Sequence, residues 1–71
     1  MITPDQIENS FTYHAPKGTQ QERYVKLRDY AKALALDILE MVPPSREQSL
    51  AITKLEEAIM WANKGIACNE R

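Results

Sequence analysis

The chain has 71 residues, 44% of them hydrophobic and 27% charged, enough for one domain that buries only about 60 to 65% of its unfolded surface and needs a metal, disulfides or partner subunits to be stable. A single cysteine, Cys68, and a single histidine, His14, exclude an internal disulfide and a four-ligand zinc site, which leaves oligomerisation. Nine basic against ten acidic side chains give a net charge of −1, which argues against a general binder of duplex DNA or RNA or of anionic membranes; with no signal peptide and no apolar run of about 18 residues, a soluble cytosolic protein is expected.

Thr3-Pro4-Asp5-Gln6 has the form of a capping box with proline at the first helical position, which predicts a short helix over residues 4 to 9. The following stretch, NSFTYHAPKG, places Phe11, Tyr13 and His14 in an arm that Pro16 and Gly18 keep irregular. Phe11 is expected to tuck inward and anchor this arm, which with the short helix takes up residues 1–18. Thr19-Gln20-Gln21-Glu22 forms a second box and starts a helix over 20–42, which Pro43-Pro44 ends. Ser45-Arg46-Glu47-Gln48 forms a third box and opens a helix over 46–68. So short a link between two long helices predicts an antiparallel hairpin, and the whole is expected to be an all-α domain.

At about 100° per residue, the first long helix gathers Tyr24, Leu27, Ala31, Leu34, Ala35, Ile38, Leu39, Met41 and Val42 on a face roughly 180° wide. The second gathers Ala51, Ile52, Leu55, Ala58, Ile59, Ala62 and Ile66, and Leu50, Trp61 and Cys68 widen its arc to about 200°. Two helices facing each other need narrower stripes, so the surplus, above all Trp61, is expected to be covered by another copy in a helical homo-oligomer. The alternative places Trp61 under the N-terminal arm of its own chain.

Arg28 falls inside the first apolar face, where a guanidinium needs either an anionic ligand or a carboxylate such as Glu56 or Glu57. Lys26 lies on the polar side, four residues after Glu22, and reads first as part of a solvated face. Arg46 occupies the first turn of its helix, where the macrodipole disfavours a cation unless an anion is near. Catalytic constellations are missing: His14 has no nucleophile partner, and Glu56 and Glu57 diverge by about 100° on a helix. The chain is therefore expected to be a binding protein rather than an enzyme, with no cofactor, for a small anionic ligand with flat rings.

The segments SFTYHAP, ERYVKLRDYAKALAL, SREQSLAITKLEEAIMWAN and IACNE resemble the hairpin-domain sponges of phages, which include anti-CBASS and anti-Thoeris proteins. The resemblance covers roughly residues 10 to 70. It implies stoichiometric sequestration, without cleavage, of host immune messengers in the cytoplasm of the infected bacterium: cyclic dinucleotides such as 3′,3′-cyclic GMP-AMP and, in some members, cyclic trinucleotides. It implies a homohexamer of hairpins with ligands held between protomers. By the same resemblance Tyr13 would stack on a base, Arg28 or else Lys26 would contact phosphate, and Arg46 would be the basic residue opening the second long helix. His14 is a further ligand-binding candidate without a stated role. Relatives end in I-A-R-N-E where this chain has Cys68, which leaves Asn69 or Arg71 to substitute in a trinucleotide pocket. Two alternatives accompany this reading: an anti-Thoeris sponge for cyclic ADP-ribose isomers, and a helical adaptor docking a protein through Trp61 and Leu50.

Overall fold

A computed structural model of the chain describes residues 1–70, and Arg71 lies outside the described residues. At the N-terminus the Thr3 box is complete: the Gln6 amide donates to Thr3 Oγ1 at 3.2 Å and the Thr3 amide donates to Gln6 Oε1 at 2.8 Å. These bonds satisfy two donors that a helix start leaves free, and helix α1 follows over Pro4–Ser10. Two long helices, α2 (Gln20–Met41) and α3 (Arg46–Asn69), make up the rest, with no strand among the described residues. Val42 ends α2 in extended backbone, φ −106° and ψ 130°, because the ring of Pro43 excludes it from the α region.

The start of α2 departs from expectation. Thr19 sits at φ −88°, ψ 6° and its hydroxyl caps nothing, since a cap side chain reaches the N3 amide from extended backbone. The turn is made instead by Gly18 at φ 53°, a left-handed conformation cheap only for glycine, and by Gln20. Its Oε1 accepts from the Lys17 amide at 3.0 Å, and its backbone amide donates to Lys17 O at 2.9 Å. At α3 only half of the expected box forms. Ser45 Oγ accepts from the Gln48 amide at 3.1 Å, but the Gln48 side chain turns away, and its Nε2 donates to Leu39 O at 3.2 Å and Val42 O at 2.8 Å. These carbonyls belong to the last turn of α2, which has no intrahelical donors left for them.

At the opposite end Gln20 Nε2 donates to Glu70 O at 3.1 Å, and the Arg23 guanidinium grips the Glu70 carboxylate with both of its terminal nitrogens, Nη1 at 2.9 Å. Contacts between α2 and α3 at both extremes make the pair antiparallel. Between the two ends Leu27, Ala31, Ala35 and Ile38 on α2 and Ile52, Leu55, Ile59 and Ile66 on α3 are all half-buried. Gln20 at 5% and Gln48 at 7% exposure are the buried side chains, and no hydrophobic residue is buried among the described residues. The accessible surface of 5919 Å² exceeds the roughly 4,500 Å² of a compact monomer of this mass. The radius of gyration, 15.3 Å, exceeds the roughly 11 Å of a compact chain this long.

Two packing expectations are corrected. Phe11 is 87% exposed and does not anchor the arm, because the arm is tied to α3 by polar groups: Asn9 Nδ2 donates to Cys68 O at 3.1 Å. Trp61 is 68% exposed rather than tucked under the arm, and Lys64 Nζ lies 5.5 Å from its ring centroid in a cation–π contact.

Substituting Gln48 by Ala leaves Leu39 O and Val42 O without their donor and is expected to lower stability by about 1–3 kcal/mol in urea denaturation. Ser45→Ala is expected to cost about 1 kcal/mol, the usual value of a cap. Hydrogen bonds from Arg23, ahead of the attraction of its charge, hold the Glu70 carboxyl below its ordinary 4.5. A depressed carboxylate stabilises the fold above its unfolded pKa and ceases to do so as pH falls through the folded pKa. The protection factors of the amides over residues 66–70, exchange rates corrected for the intrinsic pH dependence, should therefore fall on acidification below 4.5, and in Glu70→Gln they should respond far less to pH.

Candidate functional site

Two polar residues set into the apolar helix stripes, Arg28 on α2 and Asn63 on α3, lie along one hollow between the helices, Arg28 exposed rather than enclosed in the apolar face and Asn63 half-buried. Gln21, Tyr24, Val25 and Arg28 form its α2 wall, Ile59, Asn63, Lys64 and Ala67 its α3 wall, and its volume is about 520 Å³. A second hollow of about 330 Å³ continues along the hairpin between Ala31, Lys32 and Ala35 on one side and Ile52, Leu55, Glu56 and Met60 on the other. Arg28 and Ile59 belong to both, so the two adjoin as one open groove with Arg28, an exposed residue, at its waist. Each volume falls within the roughly 300–1,000 Å³ typical of small-ligand sites.

The chemistry of the groove is that of an anion flanked by flat apolar groups. Among the described residues the ion pairs are Arg23–Glu70 and Lys54–Glu57, so the carboxylates of Glu56 and Glu57, considered as partners for Arg28, do not pair with it. An Arg fork without a carboxylate keeps its full set of donors for phosphate oxygens. Lys64 supplies a second cation at the α3 wall, its Nζ lying 5.5 Å from the Trp61 ring centroid. The Tyr24 ring and the aliphatic walls offer stacking and packing surface. Asn63 Oδ1 is enclosed and has no hydrogen-bond partner among the described residues, so it can accept from an amino or imino donor on a bound ring.

The other expected site residues lie elsewhere. Lys26 is exposed and lines none of these hollows; two helical steps from Arg28 turn it by about 200° to the far side of α2. Tyr13 is 83% exposed in the arm, away from the groove walls. His14 Nε2–H donates to Asn9 O at 2.9 Å, since a carbonyl can only accept. Arg46 opens α3 at the link end of the hairpin. The 22 residues of α2 put it roughly 33 Å of helix from the arm, so one chain cannot bring Tyr13 and Arg46 to the same small ligand. Asn69 lines a separate hollow of about 440 Å³ beside α1, with Gln6, Asn9, Phe11 and Lys64, and its Nδ2 donates to Gly65 O at 2.9 Å.

Asn63 and Lys64 had escaped notice in the sequence, although the signal that marks Arg28 marks Asn63 too. It stands one helical turn from Ile59 and beside Ile66, a polar residue in the apolar arc. Lys64 was recognisable only as the residue three positions after Trp61, a spacing that lets a cation cover a ring.

The family model described as Acb2/Tad1, hairpin domain, matches residues 3–67, a span that includes the whole groove, the arm and the link but stops short of Cys68 and Asn69. No curated protein and no solved structure matches the chain.

Proposed function

Because the chain belongs to the Acb2/Tad1 hairpin-domain family of phage anti-defence sponges, we propose that it sequesters cyclic dinucleotide immune messengers, of the 3′,3′-cyclic GMP-AMP type, in the infected bacterium. The observation that carries this reading is the position of Arg28 at the waist of a two-part groove. A cyclic dinucleotide has its phosphates at the centre and a base at either end, and the groove has a cation at its centre with apolar space on both sides. The guanidinium forks onto phosphate, Lys64 adds charge, and Asn63 reads a ring donor. The ligand leaves intact, since sequestration asks nothing of the site beyond affinity.

An open groove walled by two helices cannot surround such a ligand, and copies of the chain complete it. Tyr13 from a neighbouring protomer closes over a base, and Arg46 at another protomer's link adds charge at a distance that no single chain spans. The apolar surplus supports the same assembly: Leu34, Leu39, Met41, Leu50, Met60 and Trp61 all stand 45% exposed or more, well beyond what an isolated soluble helix pair leaves in water. A homohexamer of hairpins buries these side chains and forms the pockets in one step.

Protein incubated with a panel of cyclic di- and trinucleotides and cyclic ADP-ribose isomers, then washed and denatured, should release an intact cyclic dinucleotide in mass spectrometry; release of a cyclic ADP-ribose isomer alone would make it a sponge of the other kind. Arg28→Ala and Tyr13→Ala should each weaken binding by roughly tenfold to a hundredfold in calorimetry, the loss of a charge-assisted bond or a stacked base, with the oligomer preserved, whereas Lys26→Ala should stay within about twofold. Size-exclusion chromatography with light scattering should give about 50 kDa, six times the 8.1 kDa chain, and Trp61→Glu should shift it to smaller species.

A further inference from the structure

Tyr13 lies 83% exposed and makes no hydrogen bond among the described residues, yet the arm that carries it is fastened on both sides. Before it, Asn9 Nδ2 donates to Cys68 O at 3.1 Å, and His14 Nε2–H donates to Asn9 O at 2.9 Å, so the residue next to Tyr13 is referred back to the end of α3. After it, Gln20 Nε2 donates to Glu70 O at 3.1 Å while Gln20 Oε1 accepts from the Lys17 amide at 3.0 Å. The two acceptors, Cys68 O in the last turn of α3 and Glu70 O at its C-cap, are terminal carbonyls that the helix cannot satisfy itself. They serve as two fixed posts, and the segment between Asn9 and Gln20 is a loop whose ends are held by the same helix terminus.

From this arrangement we infer that Asn9, His14 and Gln20 are positioning residues for ligand capture: they hold the Tyr13 ring in the attitude from which it meets a base, and touch no ligand themselves. The inference rests on the role proposed above for Tyr13. It gives His14 a different task from direct ligand contact. The physical gain is entropic. A ring on a free arm must be ordered when the ligand binds, at a cost taken from affinity, and a ring on a clasped loop is ordered beforehand.

A double-mutant cycle separates positioning from general stability. Binding of 3′,3′-cyclic GMP-AMP is measured by calorimetry for Asn9→Ala and Gln20→Met, each alone and combined with Tyr13→Leu, which keeps an apolar side chain but removes the ring. Each single change should weaken binding roughly five- to tenfold, the worth of one to two hydrogen bonds, and in the Tyr13→Leu background each should change it less than about twofold. Gln20 is buried at the base of the hairpin, so Gln20→Met can loosen the fold; Asn9 lies outside the α2–α3 seam, and Asn9→Ala with unchanged helicity and oligomer size carries the test alone. An equal loss in the presence and absence of the ring overturns the positioning role while leaving Tyr13 as a ligand contact. A folded Asn9→Ala of unchanged affinity also overturns it. If Tyr13→Leu by itself binds as well as the parent, the assignment of Tyr13 falls, and the positioning role with it.

Discussion

Two glutamine amides close this hairpin, one at each end, and the rest of the architecture follows from the fact that they, and no apolar side chain, are what the monomer buries. Gln48 takes up the last carbonyls of α2 and Gln20 the last carbonyl beyond α3, so each amide settles backbone groups that a helix end leaves open. Such bonds fix where the helices meet and how far they overlap. They supply little of the free energy that a folded chain needs against its conformational entropy. That energy has to come from apolar surface, and in the isolated chain the seam of Leu27, Ala31, Ile38, Ile52, Leu55 and Ile59 stays only half covered.

Assembly and capture are therefore one problem in the reading offered here. The groove around Arg28 is open because two helices make a trough, and a trough becomes a pocket when something lies across it. Whatever covers Met60 and Trp61 also brings new walls to the groove. Ligand and neighbouring copy then stabilise each other by mass action, and affinity for one is linked to affinity for the other. The cation at the centre suits this coupling, since a guanidinium stays charged when it is buried and keeps its donors aimed at whatever anion is enclosed.

Much of the hairpin was legible in the sequence because its signals are local. Pro43-Pro44 removes donors and restricts the residue before it, and the Thr3 box is a matter of four consecutive side chains, so both could be read directly. Thr19 misled because the same four-residue pattern depends on backbone that Gly18 had already committed to a left-handed turn. Gln48 was recognised as a box residue but given the wrong partner, since the carbonyls it serves lie six and nine positions back, across the link. Arg28 was visible as a charge at the wrong helical angle. Asn63 carries the same mark more faintly, an uncharged amide among isoleucines. Phe11 departs from expectation for a non-local reason: α1 is joined to α3 by an amide, and the ring stays 87% exposed at the rim of the hollow it shares with Ile2 and Ile7.

The arm from Phe11 to Thr19 buries no side chain, and what orients it is Asn9 and Gln20 at its edges together with His14, Lys17 and Gly18 within it. Substitutions at its exposed positions ahead of the Lys17–Gly18 turn leave the hairpin seam and both glutamine closures untouched, so they carry little of the stability penalty that usually accompanies changes at a binding surface. If the arm meets the ligand as proposed, it is free to drift faster than the scaffold that displays it. For a protein on one side of an arms race, that separation is a source of evolvability: the messenger recognised can change by single steps on the arm while the fold is inherited intact.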